Sequence, residues 1–280
     1  IFLKKLINFI KKNAHYVLML DLIKKNNLTH DIDENELNSL IEKSSKIHSR
    51  FHSNKVFFER SIFINWTCGI ADCKYCYLST KPKHKPSEGM LRVRAPESIL
   101  AEVELCKDMG WKVGYITGGL RVEKTSYLKD LIERINLVYG EKIMMNFGPY
   151  TKREVEFLSE SVSGMGSAIE SFNEDLHNYI CPSKPLKSLT NFLGYLQENN
   201  LKKLITIILG VGETKDDLNL VVENINKYGI EIVQLCFLKS QPGTVFDDVP
   251  PPNPRYMAWW ISNLRIKCPK LEIKCALLSD

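Results

Sequence analysis

The chain has 280 residues, 44% of them hydrophobic and 25% charged, and 38 basic against 33 acidic residues give a formal net charge of +5. That is ordinary globular composition with ample length for a buried core. It excludes a disordered chain and a strongly basic nucleic-acid module. No run approaches the roughly 18 apolar residues of a membrane helix, and the stretch 16–23 is short and holds Asp21.

The sequence opens on Ile1, so an incomplete or processed amino terminus is expected. Its first ten residues are basic and apolar but no small-residue cleavage site follows, so no signal peptide is expected. Eight Cys are too sparse for a disulfide scaffold, and a reducing, cytoplasmic setting is the expectation.

Residues 1–58 read as a helical extension: Phe2, Leu6, Phe9 and Ile10 recur at helical spacing, and Leu37, Leu40 and Ile41 repeat the pattern. From 59 to 280 the chain alternates. Strands are predicted at 61–66, 112–117, 142–147, 164–169, 203–209, 231–238 and 271–276. Helices are predicted at 96–109, 124–139, 151–160, 186–199, 215–228 and 254–267, with Thr151 and Thr214 as N-caps. Such alternation implies parallel βαβ units. Seven of them suit an α/β fold of the (β/α) barrel type, complete or partial, and a doubly wound sheet is the competing architecture. No eighth strand is legible, so the barrel is open or the carboxyl end is missing. In either architecture ligands gather where strands end.

Cys68, Cys73 and Cys76 lie on one loop after the first strand. Three thiolates there can bind three irons of a [4Fe–4S] cube and leave the fourth iron open. Zinc is the plainer alternative; it wants four ligands, and His48, His52 or a distant Cys would have to complete the set. Four further elements end strands. Thr117-Gly118-Gly119-Leu120 pairs glycines that let a ligand approach the backbone. Glu170 ends the fourth strand, where a carboxylate can take hydrogen bonds from a ribose diol. Gly210-Val-Gly212-Glu213-Thr214 follows the fifth strand, and Pro242-Gly243-Thr244 follows the sixth.

The cysteine loop, closing C-x-Φ-C with Tyr75 as Φ, resembles that of the radical S-adenosylmethionine (SAM) enzymes. Four residues separate the first two Cys where most of that superfamily has three. The glycine pair resembles the family's "GGE" element, with Leu120 in place of Glu. Glu170 and the G-x-G-E-T run resemble elements of the biotin synthase-like branch. The resemblance spans 61–280 and implies a radical SAM barrel whose cofactors are a [4Fe–4S] cluster on Cys68, Cys73 and Cys76 and SAM. It implies SAM contacts from Tyr75, Thr117, Gly118, Gly119, Glu170, Gly210, Gly212 and Glu213. Reductive cleavage of SAM to methionine and a 5′-deoxyadenosyl radical is then the expected activity. The partners it implies are a small-molecule substrate and an electron donor such as a ferredoxin or flavodoxin, with no nucleic acid and no membrane.

That branch often carries an Arg for the SAM carboxylate shortly after the fourth strand. None stands here; Lys184 and Lys187 are nearby, and the role stays unassigned. The stretches 178–185 and 249–261 are most similar to the HmdB maturases of the [Fe]-hydrogenase cofactor; methylornithine synthase and the HydE maturase are near relatives. Cys106, Cys181, Cys236, Cys268 and Cys275 match no second cluster and read as buried small hydrophobes. Asn146, Tyr150, Gln234 and Ser240 are candidate substrate contacts by position. Another enzyme of the same branch, a mutase or lyase on an amino acid such as a methylornithine synthase-like enzyme, is the first rival reading; a zinc-stabilised binding protein and an inactive paralogue are the others.

Overall fold

The computed structural model describes residues 19–28, 32–53, 55–85, 87 and 92–276. Phe2, Leu6, Phe9 and Ile10 lie outside the described residues. Among the described residues, seven parallel strands form one sheet in the order of the sequence. They are β1 (Glu59–Phe63), β2 (Lys112–Thr117), β3 (Met144–Asn146), β4 (Gly164–Glu170), β5 (Lys202–Leu209), β6 (Ile232–Phe237) and β7 (Glu272–Cys275). Each strand pairs with its sequence neighbour. The sheet therefore curls as a partial (β/α) barrel with β1 and β7 as its edges, and the doubly wound alternative does not hold.

The helices are α1 (19–28), α2 (Glu34–His52), α3 (Pro96–Asp108), α4 (Thr125–Tyr139), α5 (Lys152–Leu158), α6 (Glu174–Ile180), α7 (Leu186–Glu198), α8 (Asp217–Tyr228) and α9 (Pro254–Lys267). Thr151 caps α5 in a capping box with Glu154, as predicted. Thr214 does not cap α8. The cap is Asp216, and Asp217 instead turns its carboxylate back onto the Thr214 amide, 2.7 Å away. The seven-residue α6 is not predicted, because a stretch that short carries too little periodicity. The amino-terminal region is not helical through 58: Ser53, in the left-handed conformation, ends α2, and residues 55–58 lead non-helically into β1.

The strands read as near-continuous apolar runs because both faces are covered; in β5 every residue after Lys202 is buried. The outer face packs on the helices through a core that includes Ile116, Met165, Ile205 and Val233 with Leu131, Phe192, Val221 and Trp260. Each such side chain contributes roughly 1.5–3 kcal/mol on burial. The inner face begins with a small apolar layer of Tyr115, Met144, Leu204 and Ile232. Above it the side chains turn polar. The Tyr115 hydroxyl donates to Gln234 Oε1 at 2.7 Å, and the Thr117 hydroxyl donates to the Asn146 carbonyl at 3.1 Å.

α2 packs along α9, where the Trp259 indole donates to Glu36 at 3.2 Å. Ile32 and Leu37 join the main core. α1 runs elsewhere, over the loops that end β5 and β6. Asn27 donates to the carbonyls of Gly210 and Pro250, each at 2.9 Å, and Ile23 packs with Val211, Phe246 and Val249. No helix among the described residues is long and apolar enough to cross a membrane.

Candidate functional site

The cysteine loop leaves β1 at the carboxyl end of the sheet and is fastened on both sides. The Lys74 amide donates to the Ile180 carbonyl at 2.9 Å, and the Val245 amide donates to the Lys74 carbonyl at 3.1 Å. The loops after β4 and β6 thus hold the segment between Cys73 and Cys76. Cys73 and Tyr75 border an apolar cluster of Tyr179, Ile180, Cys181, Ile208, Val211 and Phe246. The Cys-loop, Glu170, G-x-G and Pro-Gly-Thr elements therefore meet at one end of the barrel.

All three cysteines are half-buried free thiols. Cys68 Sγ accepts from the amides of Ala71 and Leu120, both at 3.4 Å, and such N–H···S bonds suit a thiolate that ligates iron. A hydrogen bond with Cys181, against the penalty of burial and with help from the Lys184 charge, holds the Cys73 thiol below its usual range. Burial pushes Cys76 up to about 11, so a metal that bound it would have to displace its proton. Among the described residues no three His, Cys, Asp or Glu side chains gather around one point as a single-ion site would require. A cube sets no such condition, since each of its irons takes its own thiolate.

Neither candidate histidine reaches this loop. His48 and His52 stack on each other in α2, and His52 Nε2 lies 3.1 Å from the Pro269 carbonyl, before β7 and so at the opposite end of the barrel. Of the other cysteines, Cys106, Cys181 and Cys268 are buried. Cys236 is half-buried and Cys275, on the edge strand β7, is exposed, so the expectation of five buried residues fails there.

The glycine pair is required by close packing. A Cβ on Gly119 would stand 1.7 Å from the Thr67 carbonyl oxygen, and one on Gly118 would stand 2.7 Å from Asn65 Oδ1. Asn65 fixes this approach: its Oδ1 accepts from the Gly119 amide at 2.7 Å, and its Nδ2 donates to Glu123 at 2.8 Å. Leu120 offers no carboxylate, but Glu123 brings one beside the same turn. Burial raises the Glu123 carboxyl against the pull of the Asn65 bond.

A register shift between Ala168 and Glu170 re-aims the end of β4. Glu170 has φ 64, a left-handed conformation that a non-glycine residue adopts at a cost of order 1 kcal/mol. Its Oε1 accepts from Lys184 Nζ at 3.2 Å and from the Tyr75 hydroxyl. Burial, then the Glu170 charge, raises the Tyr75 hydroxyl well above its ordinary value. His177, fully buried, places its ring nitrogens 2.8 Å from the Ile169 carbonyl and 2.6 Å from that of Lys184, tying the Lys184 loop to β4.

Gly210 and Gly212 have φ 97 and 121, where glycine is needed. Pro252 and Ile23 pack against them. The Glu213 carboxylate faces its own loop, accepting from the amides of Gly210 at 2.7 Å and Val211 at 3.0 Å. Burial raises it to about 7, against those bonds. Of the candidate substrate contacts, Asn146 and Gln234 lie on the inner face, Ser240 is half-buried beyond β6, and the Tyr150 ring packs edge-on against Phe192.

Three buried side-chain oxygens here lack any hydrogen-bond partner: Thr67 Oγ1, Asp72 Oδ1 and Glu170 Oε2. Unsatisfied buried polar atoms cost about 1–3 kcal/mol each, and a ligand that bonds to them would remove that cost. Together with three thiols on one clamped loop, they fit a thiolate-held cluster and a polar ligand beside it. Sequence reasoning missed Asn65, Glu123, His177 and the nearness of Cys181 to Cys73. Only the folded loops bring these residues to the site.

The sequence profile of the Radical SAM superfamily matches residues 68–225, more than half of the chain. An uncharacterised protein of Methanocaldococcus jannaschii is 31% identical over 232 residues, 82% of this chain and 64% of that protein. The chain thus spans just under two thirds of that relative's length. Biotin synthase of Bacillus subtilis (strain 168) is 22% identical over 81% of this chain and 70% of its own. Among solved structures, methylornithine synthase (PylB) has a TM-score of 0.74 at 16% identity, covering 91% of this chain and 78% of its own. The FeFe-hydrogenase maturase HydG of Carboxydothermus hydrogenoformans also scores 0.74, at 17% identity, covering 99% and 69%. These two likenesses establish the fold. The chain belongs to the radical SAM superfamily, whose enzymes use a [4Fe–4S] cluster and S-adenosylmethionine.

Proposed function

We propose that Cys68, Cys73 and Cys76 hold the [4Fe–4S] cluster and that the enzyme acts in cofactor biosynthesis, as an HmdB-like maturase. When bound, the cluster supplies the electron that cleaves SAM reductively to methionine and a 5′-deoxyadenosyl radical. The supporting observation is the convergence of the clamped thiol loop with the partnerless Glu170 Oε2 at the carboxyl end of the barrel. In this reading Glu170 Oε2 accepts from the SAM ribose and the backbone of Thr117, Gly118 and Gly119 receives its methionine end. Tyr75, Gly210 and Gly212 border the nucleoside. Glu213 acts indirectly, by holding the G-x-G turn. Asn146, Tyr150, Gln234 and Ser240 face the substrate, and a ferredoxin or flavodoxin delivers the electron. Residues 1–58 serve as an extension to the barrel of 59–280.

The HmdB-like assignment leans on 178–185 and 249–261. The first stretch carries Cys181 and Lys184, and the second places Pro252 against Gly210. The cluster reading is tested by electron paramagnetic resonance of the anaerobically reconstituted, dithionite-reduced protein. An open fourth iron makes the signal change when SAM is added. A signal indifferent to SAM means that a fourth protein ligand closes the cluster, and the reading fails. Product analysis separates the maturase from a methylornithine synthase-like mutase: a rearranged amino acid as product would replace the finer assignment.

A further inference from the structure

We propose that Lys184 is a positioning residue for SAM, holding Glu170 so that Oε2 alone faces the ribose diol. The inference rests on the reading of Glu170 given above. The Lys184 and Glu170 side chains are each 3% exposed, with Nζ 3.2 Å from Oε1. Nζ also donates to the Ala168 carbonyl at 2.6 Å, so one ammonium grips the last turn of β4 at two points. The Tyr75 hydroxyl is the second donor to Oε1. One carboxylate oxygen thus has two donors, while the other is buried and has none. A buried carboxylate needs a cation beside it, and a diol offers the O–H donors that Oε2 lacks.

Lys184 is suited to that task. Its ammonium is buried directly against the Glu170 carboxylate and the Ala168 carbonyl, which together compensate its loss of water. Two of its three donors are engaged on Glu170 and Ala168. His177 holds the backbone of Lys184 against that of Ile169, so the ammonium and the strand end move as one unit. The left-handed backbone of Glu170 adds a reason for such bracing, since without it that conformation would relax.

The test is equilibrium dialysis of SAM against the anaerobically reconstituted holoenzyme, with iron content measured alongside. The variants are E170Q, K184M, K184R and the double variant E170Q/K184M. E170Q and K184M should each weaken SAM binding by roughly ten- to a hundredfold, the worth of a hydrogen bond to a charged group. K184R should recover part of the loss. The double variant should bind no more weakly than E170Q alone, because Lys184 acts through Glu170. It leaves no buried charge unpaired, so it keeps the test open even if E170Q or K184M fails to fold: its own loss should then stay within ten- to a hundredfold, that of one variant and not the product of two.

Losses that multiply in the double variant would overturn the proposal, since Lys184 would then act independently of Glu170. K184M binding SAM as the wild type does, with E170Q weak, would overturn it while sparing the reading of Glu170. E170Q binding as the wild type does would remove that reading and the proposal together.

Discussion

Lys274 on β7 donates to Glu59 on β1, across the gap that an eighth strand would fill. Lys112 on β2 reaches the other oxygen of Glu59 at 2.5 Å. The open edge of the barrel is thus closed by a charge cluster at the floor of the chamber. Burial pushes the Glu59 carboxyl up, but the bonds and charges of Lys112 and Lys274 prevail and hold it below its ordinary value.

This clasp predicts that Glu59→Gln destabilises the fold by about 1–2 kcal/mol, because the largely buried Lys274 keeps only Glu272 as a charged partner, while the half-exposed Lys112 is solvated by water. A depressed carboxyl pKa adds stability that is complete above the ordinary carboxylate value and lost as pH falls through the folded one. The wild type should therefore lose stability below about pH 4, where E59Q changes less. Denaturant titrations at pH 7 and pH 3.5 read both effects, and equal acid sensitivity of the two proteins would count against the clasp.

Gly119→Ala should abolish iron loading or folding, since its Cβ would lie 1.7 Å from a backbone oxygen that cannot retreat. Gly194→Ala is the control. It lies inside α7 with nothing within 4 Å of the added carbon. It should stabilise by about 0.5–1 kcal/mol through helix propensity. Thermal melts and iron content of the two variants check the pair.

Glu213 gives a pH dependence of opposite sign. Its folded pKa, raised by burial to about 7, means that the folded protein keeps a proton the unfolded chain has released. Its contribution to stability is therefore greatest below the ordinary carboxylate value of about 4.3 and declines as pH rises toward 7, by on the order of 1–3 kcal/mol. Glu213→Gln should flatten that decline. Melts of both proteins at pH 5 and pH 8 test it, and parallel profiles would mean that the carboxylate is charged throughout.

The two thiols in contact, Cys73 and Cys181, should differ in consequence. On the proposed ligand set, Cys73→Ala should leave the protein without its iron. Cys181→Ser should keep iron near the wild-type amount, because the three proposed ligands, Cys68, Cys73 and Cys76, all remain. Iron and acid-labile sulfide determinations on the reconstituted variants distinguish them.

Much of this was legible in the sequence because the signals were local. The apolar runs of β2 and β5 fall within a residue of prediction, and Thr151 with Glu154 announces α5. The cysteine loop announces a candidate ligand set in its spacing. What stayed hidden depends on long-range contact. Lys184 meets Glu170 only because α6 turns its loop back onto β4, and Asn65 meets Gly119 only because β1 and β2 end side by side. The exposure of Cys275 follows from its place on an edge strand, which no local pattern reveals.

The most direct test is 5′-deoxyadenosine formation. Wild type and Cys73→Ala are reconstituted anaerobically with iron and sulfide, reduced with dithionite and given SAM. The expected result is a brown wild-type protein that releases 5′-deoxyadenosine and a variant that releases none. A colourless wild type that binds zinc, or a brown one that leaves SAM intact with substrate present, would contradict it.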